Sequence, residues 1–343
     1  MHFTFDKLQG SVFTLTWVCA WWRNHTLSQS ILWSSYTVGE SFQSLPRYRN
    51  PDVELFLKEC IFRSGNHELM NVAVIRGGEI FTKIWSPLLG HTNRWRDLKL
   101  IPFYLSDLSN ILHDLKNRQE YREGRATTYF PHLECLTLLV PEIIHIDQLP
   151  SIPLHNLFST CPSLHTLRIS HLRVSDNLDF SHLTALNIYA YYQGRFFAVL
   201  LAKCPHLKTC RMDRFIIGDD PTPATSYIPQ ISHNSLTTLN LTWYDKNCTI
   251  GFWRYVILPK LTCLFVSIKG HQMFEADGQP EPLGELKKMI VESKCSLMRV
   301  RLGRSLPYDA VVSFFDGLDI NFGDENVIVN GVIYDPDIRQ PVL

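Results

Sequence analysis

A short apolar pattern recurs along this 343-residue chain and constrains its fold more than any other feature. The pattern is Φ-x-x-Φ-x-Φ, where Φ is apolar. It reads FPHLECLTLLV at Leu133, Leu136 and Leu138, then CPSLHTLRIS at Leu164, Leu167 and Ile169. It returns as FSHLTALNIY (Leu183, Leu186, Ile188), CPHLKTCRMD (Leu207, Cys210, Met212) and HNSLTTLNLT (Leu236, Leu239, Leu241). LPKLTCLFVS (Leu261, Leu264, Val266) and KCSLMRVRLG (Leu297, Val300, Leu302) close the series. Upstream, NRWRDLKLIP (Trp95, Leu98, Leu100) and HELMNVAVI (Leu69, Val72, Val74) follow it less closely.

The x-Φ-x-Φ half has the period of a strand, with alternate side chains on opposite faces. The leading Φ turns the chain inward first. One such strand cannot bury its apolar side alone, whereas a stack of them builds a continuous core. Intervals between leading positions run from 19 residues (Leu164 to Leu183) to 38 (Trp95 to Leu133). Regular leucine-rich repeats recur every 20–29 or so. The expected fold is therefore α/β: an irregular leucine-rich-repeat solenoid, a curved parallel sheet with helices on its outer side. PLHNLFST (153–160) and GRFFAVLLAK (194–203) read as helices, each stopped by a Cys-Pro pair. GELKKMIVESK (284–294) reads as a third. The Pro- and Asp-rich stretches 216–235 and 269–284 read as long loops, and the alternating tail 314–343 as a cap for the open sheet end.

Charge and chemistry narrow the function. Thirty-three basic residues balance 33 acidic ones, so nothing in the net charge calls for nucleic acid or a membrane surface. The nine cysteines are dispersed in apolar surroundings, as in a reduced cytoplasmic or nuclear protein. Cys204 and Cys210 lack the spacing of a zinc site, and the Asp-rich tail lacks the order of a calcium loop. The apolar run SVFTLTWVCAWW is too short to span a bilayer. No phosphate loop, nucleophile elbow, zinc-protease helix or kinase set occurs. His132, His182 and His206 stand in the repeat starts and read as turn residues. No enzyme, cofactor or metal is expected, and the chain is expected to be monomeric by itself.

The N-terminal stretch VCAWWRNHTLSQSILWSS (Val18–Ser35) precedes VELFLKECIFRSGNHEL (Val53–Leu69) and HTNRWRDLKL (His91–Leu100). In this order, followed by the repeats, the segments resemble the F-box-like proteins with irregular leucine-rich repeats of mushroom-forming fungi. The resemblance runs from about Trp17 to near Gly317. It implies a helical F-box-like segment over residues 1–45 and a solenoid with C-terminal cap over 46–343. It further implies docking on a Skp-type adaptor of a cullin ubiquitin ligase through Val18, Cys19, Trp22, Leu27, Leu32 and Trp33. The chain would then be the ligase's substrate receptor. Residues 1–16 contain no proline and no Leu-Pro-x-Glu helix, and Ser30 stands where the family usually has proline. The front half of the F-box is thus expected to be absent or replaced. The alternative is a free-standing protein-binding scaffold with no ligase link.

The residue between the last two Φ positions of each repeat is expected on the concave face. These are Lys99, Thr137, Arg168, Asn187, Arg211, Asn240, Phe265 and Arg301. Four are basic and none acidic, so the row suits an acidic peptide or another anionic protein partner.

Overall fold

A computed structural model describes residues 3–4, 19–39, 53–66, 69–75, 85, 87–102, 110–114, 130–139, 161–172, 180–190, 197–215, 230–243, 251–268, 282–302, 313–318, 327–329, 332–335 and 340–341. The chain is an α/β protein built on parallel strands. It divides into two compact units, Met1–Leu167 with Asn177–Asp179, and Arg168–Asp176 with Phe180–Leu343.

In the first unit, strands β1 (Phe3–Thr4), β2 (Ser35–Gly39), β3 (Met70–Ile75), β4 (Trp95–Ile101) and β5 (Cys135–Leu138) pair in chain order, all parallel. Helix α1 (Ala20–Ser28) and a 3-10 turn (Ser30–Trp33) precede β2; helix α2 (Val53–Arg63) precedes β3. Because β2 pairs with β3, the boundary expected at residue 45 runs through one sheet. Alternation in β3 and β4 buries Val72, Val74, Leu98 and Leu100 on one face, worth about 1.5–3 kcal/mol per fully buried side chain. The leading apolar position of β3 is Met70, one residue after the expected Leu69. A register shift between Met70 and Asn71 absorbs that residue. Trp95 is clamped between Trp85 and Phe130, with ring centroids 5.6 and 5.8 Å away.

The Arg-Ser-Gly that ends α2 has a clear physical role. Gly65 takes a left-handed φ of +65°, the usual helix stop for a residue without Cβ. Ser64 is buried, and its hydroxyl accepts a 2.8 Å hydrogen bond from the Arg94 guanidinium. That oxygen in turn donates to the Ile61 carbonyl at 2.6 Å. The end of α2 is thereby tied to the turn before β4.

β6 (Thr166–His171) carries the division between units, after Leu167. In the second unit β7 (Ala185–Ala190) is followed by helix α3 (Phe197–Lys203) and β8 (Thr209–Phe215). Then come β9 (Ile231–Ser232), β10 (Thr238–Trp243), β11 (Val256–Ile257) and β12 (Cys263–Ile268). Helix α4 (Pro282–Ser293), β13 (Arg299–Leu302), β14 (Val327–Val329), β15 (Val332–Asp335) and β16 (Gln340–Pro341) complete it. Strands β7, β8, β10, β12, β13 and β14 pair in that order, all parallel. β15 and β16 then run antiparallel. Short β9 and β11 pair with each other, away from the main sheet. Of the expected loops, 216–235 thus contributes β9, and Pro282 opens α4 inside the second, where a proline's missing N–H costs nothing. The helix expected over 153–160 lies outside the described residues.

The repeat is longer in space than it looked in the sequence. Five of the seven leading leucines donate their amide to a carbonyl three residues earlier: Leu133 to Phe130, Leu164 to Cys161, Leu183 to Phe180, Leu207 to Cys204 and Leu261 to Leu258. All five acceptor residues are buried apolar side chains, and four of them precede a proline. Proline presets φ for the second position of such a turn. The residue after the leading Leu then offers its carbonyl to two amides of the next repeat. Lys208 O takes Thr237 and Thr238 N–H; Thr237 O takes Thr262 and Cys263; Thr262 O takes Met298 and Arg299. The full motif is Φ-[Pro/Ser]-x-Leu-x-x-Φ-x-Φ, a turn locked to a strand. One repeat replaces the turn's backbone acceptor. His233 is buried, and its Nδ1 accepts the Leu236 amide at 3.1 Å while Nε2–H donates to the Cys204 carbonyl at 2.8 Å. Only the neutral Nε2–H tautomer makes both bonds.

Candidate functional site

Period-two burial sets a row of exposed and half-buried side chains on the second face of the second unit's sheet. Cα register places Asn187 beside Arg211, Arg211 beside Asn240, Asn240 beside Phe265 and Phe265 beside Arg301. Five of the residues expected on a binding face are therefore neighbours, spread over about 19 Å at the usual inter-strand spacing. Arg211 and Arg301 are exposed; Asn187, Asn240 and Phe265 are half-buried. Behind them Leu186, Ile188, Cys210, Met212, Leu239, Leu241, Leu264 and Val266 are fully buried, so the backbone under the row is fixed by the core. Arg168, on β6, is exposed and belongs to the same unit.

Lys99 falls in the first unit, where its register neighbours are Ala73 and Thr137. Thr137 is only 7% exposed, against the expectation that it would face outward. A threonine can be buried there because its short side chain carries one hydroxyl rather than a charge.

Two residues that the single-row reading overlooked change the electrostatics. Asp213 lies two residues beyond Arg211 on β8, and its Oδ1 accepts a 2.6 Å hydrogen bond from Arg211 Nε. Arg211 is therefore partly neutralised on the protein itself. Arg299, two residues before Arg301, is also exposed and sits in register with Cys263. Both were legible as period-two neighbours in RMD and RVR.

At the N-terminus the residues expected to dock an adaptor have unlike fates. Trp33 is 3% exposed; its indole N–H donates to the Thr26 carbonyl at 3.0 Å, and the Arg63 guanidinium lies 5.2 Å over its ring. It packs the junction of α1 and α2 instead of presenting itself. Cys19 is exposed, Leu27 and Leu32 are half-buried, and Val18 and the Trp22 side chain lie outside the described residues. Large apolar side chains that do reach solvent are others: Trp21 (65% exposed), Ile31, Leu55 and Phe62 (80%). Leu55 and Phe62 are seven apart on α2 and share one helical face. Trp21 stacks on His25 at 5.5 Å.

Burial pushes the thiols of Cys60 and Cys204 up to about 12, and that of Cys210 further still, so none is a nucleophile at neutral pH. Among the described residues no three His, Cys, Asp or Glu side chains are grouped to hold a metal ion. No helix there is long and apolar enough to cross a membrane. No protein-family model matches the chain, and no curated protein matches it.

Proposed function

We propose that this chain is a non-catalytic protein-interaction module of the irregular leucine-rich-repeat type, a solenoid that binds a partner along its sheet. The observation that carries this reading is the registered row Asn187–Arg211–Asn240–Phe265–Arg301 on a parallel sheet whose opposite side chains are buried. Parallel sheets are ordinarily covered on both faces, so an open polar face is a surface left for something else. The repeated turn-strand unit supports the solenoid. Affinity capture with the full chain tests the reading. A partner retained by the native protein and released by Asn240→Asp with Phe265→Asp places binding on this face; retention by that variant removes it.

The segment order resembling the F-box-like family extends the proposal to a substrate receptor of a Skp-cullin-F-box ubiquitin ligase in the cytoplasm or nucleus. The chain would hold its target near the ubiquitin-loading partner and raise its effective concentration. Exposed Trp21, Ile31, Leu55 and Phe62 support a second docking surface, because large apolar side chains in solvent mark interaction sites. Co-purification of the full-length native chain with a Skp adaptor, lost in Leu55→Glu with Phe62→Glu, is the expected outcome. No co-purification leaves the free-standing scaffold as the reading.

A further inference from the structure

The open face of the second unit is unevenly charged, and the imbalance narrows what it can hold. At β8 the Arg211 guanidinium is already engaged by Asp213. At β13, Arg299 and Arg301 alternate with buried Val300 and Leu302, so both leave the same face of the strand. They stand about 6.8 Å apart along it. Neither has a carboxylate partner among the described residues. Phe265 lies in register beside Arg301, and Asn240 beside Phe265.

Resting on the proposed binding role of this face, we infer that β12 and β13 form its anchor, and that the anchor takes an extended acidic protein segment of the form Asp/Glu-x-Asp/Glu. Alternate side chains of an extended chain recur at about the same 6.8 Å, so two carboxylates can each meet one guanidinium. Arginine's planar fork binds a carboxylate through two parallel hydrogen bonds, which fixes direction as well as charge. Phe265 supplies apolar area for the stem of an acidic side chain. A single-stranded nucleic acid fits worse. Two guanidinium groups neutralise about two phosphates, with a log-log salt slope of only about −1.4.

Fluorescence anisotropy of the full chain with labelled decapeptides tests this. One peptide alternates glutamate and serine, and a second has the same composition with its glutamates in one block. An oligothymidylate of ten nucleotides serves as the third probe. The alternating peptide is expected to bind tightest. Arg299→Gln with Arg301→Gln is expected to weaken it by about tenfold or more, and Arg211→Gln by less than about twofold. Asp213→Asn, which releases Arg211, is expected to tighten it a few-fold. All four side chains are at the surface, and matching thermal melts show that the variants fold. Failure of the native chain to bind the alternating peptide overturns the inference, as does equal loss with Arg211→Gln. Tighter binding of the oligothymidylate also overturns it. If the partner captured above is lost with Asn240→Asp and Phe265→Asp but kept by the double arginine variant, the acidic anchor falls while the binding face stands. If neither variant matters, both fall.

Discussion

The two units use the same parallel turn-strand grammar and put different chemistry on the same strand position. In the first, the register row runs Thr4, Thr37, Ala73, Lys99, Thr137, mostly short side chains, and its last member is buried. In the second it runs Asn187, Arg211, Asn240, Phe265, Arg301, with arginines in solvent. Their interiors differ as well. The first unit is held by an aromatic cluster, Trp85–Trp95–Phe130, and a buried arginine; the second by stacked Leu, Val, Ile and Met with the edge contacts Trp253–Phe197 and Phe314–Phe315. A repeat therefore specifies a backbone and leaves the outward residue free to vary. In this chain the first unit's row is made mostly of short side chains and the second's of amide, aromatic and charged ones.

Mutations can break or sharpen that contrast. Trp95→Ala removes the centre of the first unit's aromatic cluster and is expected to cost about 3–5 kcal/mol in chemical denaturation. A cost no larger than that of a surface substitution would end the claim that this cluster organises the unit. In the second unit, His233→Ala deletes the one side-chain turn acceptor. It leaves the Leu236 amide and the Cys204 carbonyl short of partners, at an expected cost of about 1–3 kcal/mol. Gly65→Ala meets no steric block, the nearest side-chain atom being Ser30 Cβ at 3.8 Å. Its cost is confined to the left-handed backbone, about 1–2 kcal/mol. His206→Ala, in an exposed turn position of the neighbouring repeat, is expected to shift stability by under about 0.5 kcal/mol. The gap between the two histidines, read from urea midpoints, measures what burial makes of the same residue type.

The pH dependence of stability cuts across both units. Cys60 in the first and Cys204 in the second have thiol pKa values raised by burial from 9.0 to about 12. A folded-state pKa above the unfolded one means that the unfolded chain loses its proton first. The stabilisation is complete below pH 9.0 and is lost as pH rises from there towards 12. Urea midpoints should fall gently above pH 9.0, and Cys60→Ala with Cys204→Ala should flatten part of the slope. A flat profile in the native chain would contradict the burial of these thiols.

Much of the fold was legible beforehand. Φ-x-x-Φ-x-Φ marked seven repeats, and each described one carries a strand over its second half. The turn before each strand was less visible, because its acceptor is a backbone carbonyl and only the proline behind it leaves a trace. His233 stands three residues before its leading Leu where His132, His182 and His206 stand directly before theirs, and it alone of these four is buried. Its role depends on Cys204, 29 residues away. The outward row was legible as a list of residues, since period two dictates which side chains share a face. Its charge was not, because the pairing of Arg211 with Asp213 is a matter of rotamer and distance.

By itself the sequence determined the strand of each of the seven repeats and which residues stand between its apolar positions, since alternation and turn residues act locally. Tertiary structure alone decided which of those outward residues meet solvent. It buried Thr137 and Trp33, exposed Phe62 and Leu55, and left Arg299 and Arg301 without a carboxylate partner among the described residues. Burial and ion pairing depend on what the rest of the chain brings within a few ångströms, and no local pattern encodes that.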